Sequence, residues 1–265
     1  SAPAAQPDTV DSVEATSSGY TVQFRDRVID LEPYVQGFPY GGFDVDLEDG
    51  LMTYRHTTPD GVWLRWQELP ASGAVDPSSG DRVTEVDWST RSLWWAAWHR
   101  SSARFLAMAD EANRERMNLY WIDPDDGSVT PWTDNDYTYG ADWNEAETHV
   151  AYVARNGTEE PYDSCLHIRA IETGEDRRVL CDGGEEDRFT WTGIEFSPDD
   201  ASVLVRIQHQ GDRNRTNTAR IDLGADAPDF EFLLEPGVMR YSHYVVSDSY
   251  DGERILYVTA ESGND

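Results

Sequence analysis

The apolar positions of this chain fall into short runs, alternating or continuous, each of strand length. The most regular spans residues 191–206. Trp191, Gly193 and Glu195 alternate with Thr192, Ile194 and Phe196; Ser197-Pro198-Asp199-Asp200 interrupts, and Val203-Leu204-Val205 resumes. Pro198 sets φ early in a turn, and Asp199 and Asp200 bond their own backbone and accept turn dihedrals. The stretch therefore predicts a tight β-hairpin, with aromatic and β-branched flanks suited to a pleated surface.

The unit recurs. Val45, Trp98, Trp143, Phe196 and Val246 each precede a polar turn and then an apolar run, at 51–54, 105–108, 150–153, 203–205 and 255–258. The intervals between these landmarks are 53, 45, 53 and 50 residues. A period near fifty with four short strands per unit is the signature of a propeller blade. The expected fold class is all-β, a β-propeller of four-stranded blades. About five blades' worth of sequence is present.

Residues 1–19 are small, polar and aperiodic and read as a disordered leader. Residues 20–265 are expected to form the propeller domain, with blades at 41–86, 90–133, 137–182 and 190–236. A fifth blade, 241–265, stops where its third strand is due. Two strands expected within 20–31 either complete it and close the ring or belong to an extra blade. A third arrangement makes the chain the front part of a larger ring. Residues 93–98 are nearly all apolar, as expected of a strand covered on both faces, and 109–116 read as a long loop.

Charge alters this picture. The 265 residues include 51 acidic and 21 basic side chains, a net charge of −30, and every basic one is Arg. Such a surface repels phosphate backbones, so no nucleic-acid partner is expected. The acids are spread along the whole chain, which reads as adaptation to high salt; a binder of cations or basic peptides is the competing reading. No apolar run approaches the roughly 18 residues needed to span a bilayer, so no membrane span is expected.

Cys165 and Cys181 lie symmetrically about Thr173, the centre of the turn Glu172-Thr173-Gly174 between two expected strands. Strands paired about that turn place the two side by side, close enough for a disulfide. Two buried free thiols are the alternative. A disulfide favours an extracytoplasmic location, periplasmic or secreted. His167 alone nearby falls short of a metal ligand set, so no metal is expected.

No nucleophile elbow of the Gly-x-Ser-x-Gly type occurs, and the six His are scattered without metal-ligand spacing. No catalytic residue and no cofactor is expected. Glu185 and Glu186 form an acidic pair suited to a peptide amino terminus, or simply a solvated loop. The acidic runs at 123–127 and 134–136 lack calcium-loop spacing and read as turns. Asp44, Asp142 and Glu195 each precede a landmark residue. Projecting inward, they would make the wall of a central tunnel acidic and contribute to substrate binding; otherwise they sit at the sheet rim.

Phe196-Ser197-Pro198-Asp199-Asp200 followed by Val203-Leu204-Val205 resembles the blade motif of TolB-like and prolyl oligopeptidase family propellers, an aromatic, Ser-Pro-Asp-Gly and an apolar strand. Asp142-Trp143-Asn144 and Ser249-Tyr250-Asp251-Gly252 resemble degenerate copies, and residues 254–262 are similar to acylaminoacyl-peptidase-like blades. The motif's Gly is replaced by Asp200. The resemblance covers about residues 40–265 and implies the propeller that restricts peptide entry to an α/β-hydrolase domain carrying Ser, Asp and His. Residues of that half are missing here, so no triad is carried over. The implied function is a non-catalytic, substrate-gating propeller portion of a serine peptidase, with a peptide substrate or the hydrolase domain as partner. The alternatives are a free-standing TolB-like propeller for protein–protein interaction and a five-bladed glycan-active propeller, which needs paired carboxylates in its funnel.

Overall fold

A computed structural model describes residues 12–16, 19–24, 27–30, 39–70, 75–110, 116–157, 163–183, 187–190, 193–209 and 216–233. The fifth-blade segment 241–265 and Glu185 and Glu186 lie outside the described residues. Among those residues the secondary structure is strand, with two 3-10 turns at Trp88–Thr90 and Arg100–Ser102.

The chain opens with an antiparallel meander of β1 (Ser12–Thr16), β2 (Gly19–Phe24) and β3 (Arg27–Asp30). The strands expected within 20–31 are present. Within the expected leader, Ser12–Thr16 pairs antiparallel with Gly19–Gln23, Val13 opposite Val22. Polar composition hid it, because Val13 and Ala15 are its only apolar residues and the partner strand supplies the rest of the order.

Four antiparallel sheets follow in chain order. The first holds β4 (Tyr40–Asp46), β5 (Leu51–Thr58), β6 (Gly61–Glu68) and β7 (Asp81–Arg82). The second holds β8 (Leu93–His99), β9 (Arg104–Asp110), β10 (Met117–Ile122) and β11 (Val129–Pro131). The third holds β12 (Tyr137–Trp143), β13 (His149–Asn156), β14 (Asp163–Ala170) and β15 (Asp176–Cys181). In the fourth the first strand is broken: β16 (Asp187–Phe189) and β17 (Glu195–Phe196) both pair with β18 (Ser202–His209), which pairs β19 (Thr216–Asp222) and then β20 (Glu231–Phe232). The alternation at 191–196 suggests one unbroken strand; of its described residues, Glu195 and Phe196 join the ladder.

Three apolar layers lie between consecutive sheets. Phe105, Ala107 and Ala109 of β9 pack with Leu64 and Trp88 on the first sheet's side. Leu106 and Met108 of the same strand pack the other way, with Val150 and Tyr152 of β13. Ala151 and Val153 of β13 then face Phe196, Val203 and Val205 of the fourth sheet. Alternate residues of one strand feed two different cores, which is why β9 and β13 read as continuous apolar runs. β8 was expected to be such a strand and also feeds two cores, Leu93 and Ala96 the first and Trp95 the second, but Trp94 is 50% exposed. That one exposed ring lines a cavity.

The turn joining first and second strands repeats with one geometry. Gly50, Ala103, Glu147 and Asp200 hold φ of 65°, 50°, 52° and 56°. Asp200 thus occupies the left-handed position that the resembled motif gives to Gly, a conformation Asp accepts better than most residues. Ala103 has no such compensation. Ala103→Gly is therefore expected to stabilise the fold by about 0.5–1 kcal/mol, relief of the left-handed strain exceeding the added chain entropy. Urea unfolding of the two proteins measures it; equal midpoints would count against strain at this turn.

Candidate functional site

The side chain just after each landmark caps its turn. Asp46 Oδ1 accepts the N–H groups of Glu48 and Asp49, both at 2.9 Å. His99 Nδ1 accepts Ser102 N–H at 3.3 Å. Asn144 Oδ1 accepts Thr148 N–H at 2.9 Å and His149 N–H at 2.8 Å, and Ser197 Oγ accepts Ser202 N–H at 2.9 Å. Four different residue types do one job, so the equivalence is invisible to a motif.

The turns are also bonded to one another. Arg100 pairs with Asp46 at 3.1 Å, Glu48 at 2.7 Å and Asp49 at 3.4 Å. Ser101 N–H donates to Glu147 Oε2 at 2.6 Å, and Asn144 Nδ2 donates to Asp200 Oδ2 at 2.7 Å. Burial would raise the Asp46 carboxyl, but the Asp49 and Glu48 N–H groups and the Arg100 guanidinium outweigh it and hold it below its ordinary value. His99, 1% exposed, stands edge-on to Trp121 and Trp143. Its Nδ1 is an acceptor, so Nε2–H donates to Glu147 O at 3.0 Å and the ring is neutral. Burial lowers its affinity for a second proton, against an opposing pull from Glu147. His99, the last residue of β8, is thus a buried tie between sheets.

Behind these turns the first strands β4, β8 and β12, with Gly193 and Ile194, line a cavity of about 850 Å³. Asp44, Asp46, Glu48, Asp142 and Glu147 carry acid to it, with Arg100 among them, and Trp94, Trp95, Trp98 and Trp143 supply aromatic surface. Asp44 and Asp142, read as facing a central wall or else the sheet rim, both line this space. Glu195, in β17 opposite Leu204, is not among the described residues that line it.

Both wall acids reach toward the next sheet. Asp142 Oδ2 accepts the N–H of Phe196, the next landmark, at 3.4 Å. Asp44 accepts the N–H of Trp98, the landmark one sheet further on. Burial pushes Asp142 up to about 6, its bonds from the Phe196 and Trp143 N–H groups pulling weakly the other way. Asp44 is raised too, by burial and then by neighbouring Asp46. These carboxylates are tied into the joints between sheets as well as lining the space, which suits shaping and charging a passage better than proton transfer.

A second cavity, about 1420 Å³, shares Trp94 and Tyr139 with the first. Its described lining includes Arg55, Arg155, Arg188 and Arg206 with one acid, Asp110. Sequence reasoning missed this group. The signal present was positional: Arg55, Arg155 and Arg206 all fall in the second strands β5, β13 and β18.

Cys165 and Cys181 are joined in a disulfide, facing each other across β14 and β15 as the symmetry about Thr173 implied. Gly174 takes the left-handed turn position at φ 70°. A register shift between Leu166 and His167 separates the cysteine pair from the turn. The run at 123–127 is a turn, as read, with Gly127 N–H donating to Asp123 O at 2.8 Å; 134–136 is irregular, and Arg116 lies 3.6 Å from Asp134 and 3.8 Å from Asp136. No helix among the described residues is long and apolar enough to cross a membrane.

No protein-family model and no curated protein matches this chain. Solved structures do. TolB from Acinetobacter baumannii superposes with a TM-score of 0.53 at 14% identity over 86% of this chain. A prolyl endopeptidase superposes at 0.57, with 15% identity over 78%. The putative TolB of Agrobacterium tumefaciens superposes at 0.55, with 13% identity over 96%. The chain spans 52% of the first, 31% of the peptidase and 92% of the third. At these identities the likeness is one of fold: antiparallel four-stranded sheets in the arrangement of TolB and prolyl-peptidase propellers.

Proposed function

We propose that this chain is a peptide-handling β-propeller without catalytic groups of its own, the substrate-gating portion of a prolyl oligopeptidase-type serine peptidase. The observation carrying this reading is the aromatic and acidic cavity formed by the first strands of successive sheets. Such a wall fits an extended chain passing along the propeller axis, its peptide groups against Trp faces and its amino terminus or basic side chains against Asp44 and Asp142. In this reading Glu185 and Glu186 sit on the approach, the ring has about five blades, and the excess of acid keeps the molecule solvated at high salt. The disulfide supports an extracytoplasmic location.

A free-standing TolB-like propeller that binds a protein partner is the second reading, favoured by the 92% coverage of the Agrobacterium structure. Fluorophosphonate labelling of the whole gene product, beside residues 1–265 alone, separates the two. Gating predicts covalent labelling and peptide hydrolysis by the former and neither by the latter. A whole product that is never labelled eliminates the peptidase and leaves the binding module. Hydrolysis by residues 1–265 alone would defeat the non-catalytic assignment.

A further inference from the structure

The arginine-lined cavity runs against the character of the rest of the molecule. Acids outnumber arginines 51 to 21 over the chain, yet the described lining of this space holds four arginines and one acid. The four come from separate strands: Arg55 on β5, Arg155 on β13, Arg188 on β16 and Arg206 on β18. Three sheets therefore contribute, and their convergence is a product of the tertiary arrangement.

The head groups are held in place. Arg55 Nη1 donates to the Leu93 carbonyl at 2.9 Å, which orients the fork while leaving its charge in place. The Arg155 guanidinium stands over the Tyr137 ring at 5.1 Å, and Arg206 Nη2 lies 3.4 Å from Thr216 Oγ1. All four side chains are half-buried, so their field is felt in a cleft walled by low-dielectric protein, where it is concentrated. Planar guanidinium forks match oxyanions two bonds at a time. At about 1420 Å³ the space exceeds what one inorganic ion needs, and Trp94 and Tyr139 offer aromatic surface for an organic body.

We infer that this cavity is a binding site for an organic ligand carrying several carboxylates, its charges received by Arg55, Arg155, Arg188 and Arg206. The site does not depend on whether the propeller gates a hydrolase. The carboxylates can belong to an acidic peptide segment or to a small polycarboxylic acid; the chemistry of capture is shared. An acidic ligand repelled by the outer surface would meet a described lining of opposite sign.

Isothermal titration of the folded chain at constant ionic strength tests this, with tri-glutamate, citrate and inorganic phosphate as probes. Saturable binding of tri-glutamate or citrate is expected, and which of them binds tighter identifies the source. Arg155→Gln and Arg206→Gln are each expected to weaken that binding at least tenfold. Arg178→Gln, at an exposed position of β15, is expected to leave it unchanged. Arg155→Lys retains charge without the fork, so intermediate affinity is expected, and it stands in if a Gln variant fails to fold. Three results overturn the inference: no carboxylate probe binds the parent chain, phosphate binds more tightly than both, or Arg178→Gln weakens binding as much as the cavity variants do.

Discussion

Asp142→Asn is expected to raise stability at pH 8 by up to about 3 kcal/mol and to leave it unchanged below pH 4. The reasoning follows from where the proton sits. The Asp142 carboxyl has an ordinary value of 3.8 and is pushed up to about 6 by burial. In the unfolded chain it ionises first as pH rises, while the folded protein holds its proton until about pH 6. Between those values the folded state binds more protons than the unfolded one, so stability falls as pH rises. Above pH 6 the cost is constant, about two units of pKa or ~3 kcal/mol. Asparagine removes that charge yet keeps an oxygen to accept the Phe196 N–H. Asp142→Ala lacks the acceptor and is expected to lose about 1–3 kcal/mol relative to the Asn variant.

His99 runs the other way. Burial depresses its protonation in the fold, so the unfolded chain takes up protons first as pH falls below about 6.5. Its contribution to stability is present above that pH and is lost on acidification. The two groups oppose each other over overlapping windows in the parent protein. Denaturant midpoints collected from pH 4 to 8 should show a flattened dependence in the parent and a plain acid-side decline in Asp142→Asn. Superimposable profiles for the two proteins would mean that Asp142 is not held in a raised state.

Removing the disulfide has a comparable effect. Cys165 and Cys181 are 16 residues apart in sequence, and a bridge closing a loop of that length stabilises by roughly 3 kcal/mol through the entropy of the unfolded chain. Cys165→Ala with Cys181→Ala is expected to lower the melting temperature by about 6–12 °C. The parent in reductant should melt where the double variant melts. Insensitivity of the parent to reductant would show that the bond is absent from the protein in solution. The bridge lies between the third and fourth strands of its sheet, away from the cavities, so carboxylate-probe binding should survive at temperatures where the double variant remains folded.

Much of the fold was legible because blade physics is local. The hairpin at Ser197-Pro198-Asp199-Asp200, the strands after each landmark and the facing of Cys165 and Cys181 involve residues within one sheet, where turn chemistry and period-two alternation act directly. Misreadings arose where a distant partner decides. Trp94, apolar but half exposed, serves a cavity that needs other sheets to exist. Of the site residues, Asp142 was singled out by its register beside Trp143, with wall and rim both open, but its bond to Phe196, 54 positions on, was not legible.

By itself the amino-acid order determined the strands, their pairing within each sheet and the excess of negative charge, since each depends on neighbours or on composition. Only the tertiary structure decided that Arg100 would meet Asp46, that Asn144 would hold Asp200, and that arginines from three sheets would surround one space. The reason is geometric: residues about fifty apart become adjacent only when whole sheets stack, and that stacking is specified by interleaved apolar faces, not by the polar groups it brings together.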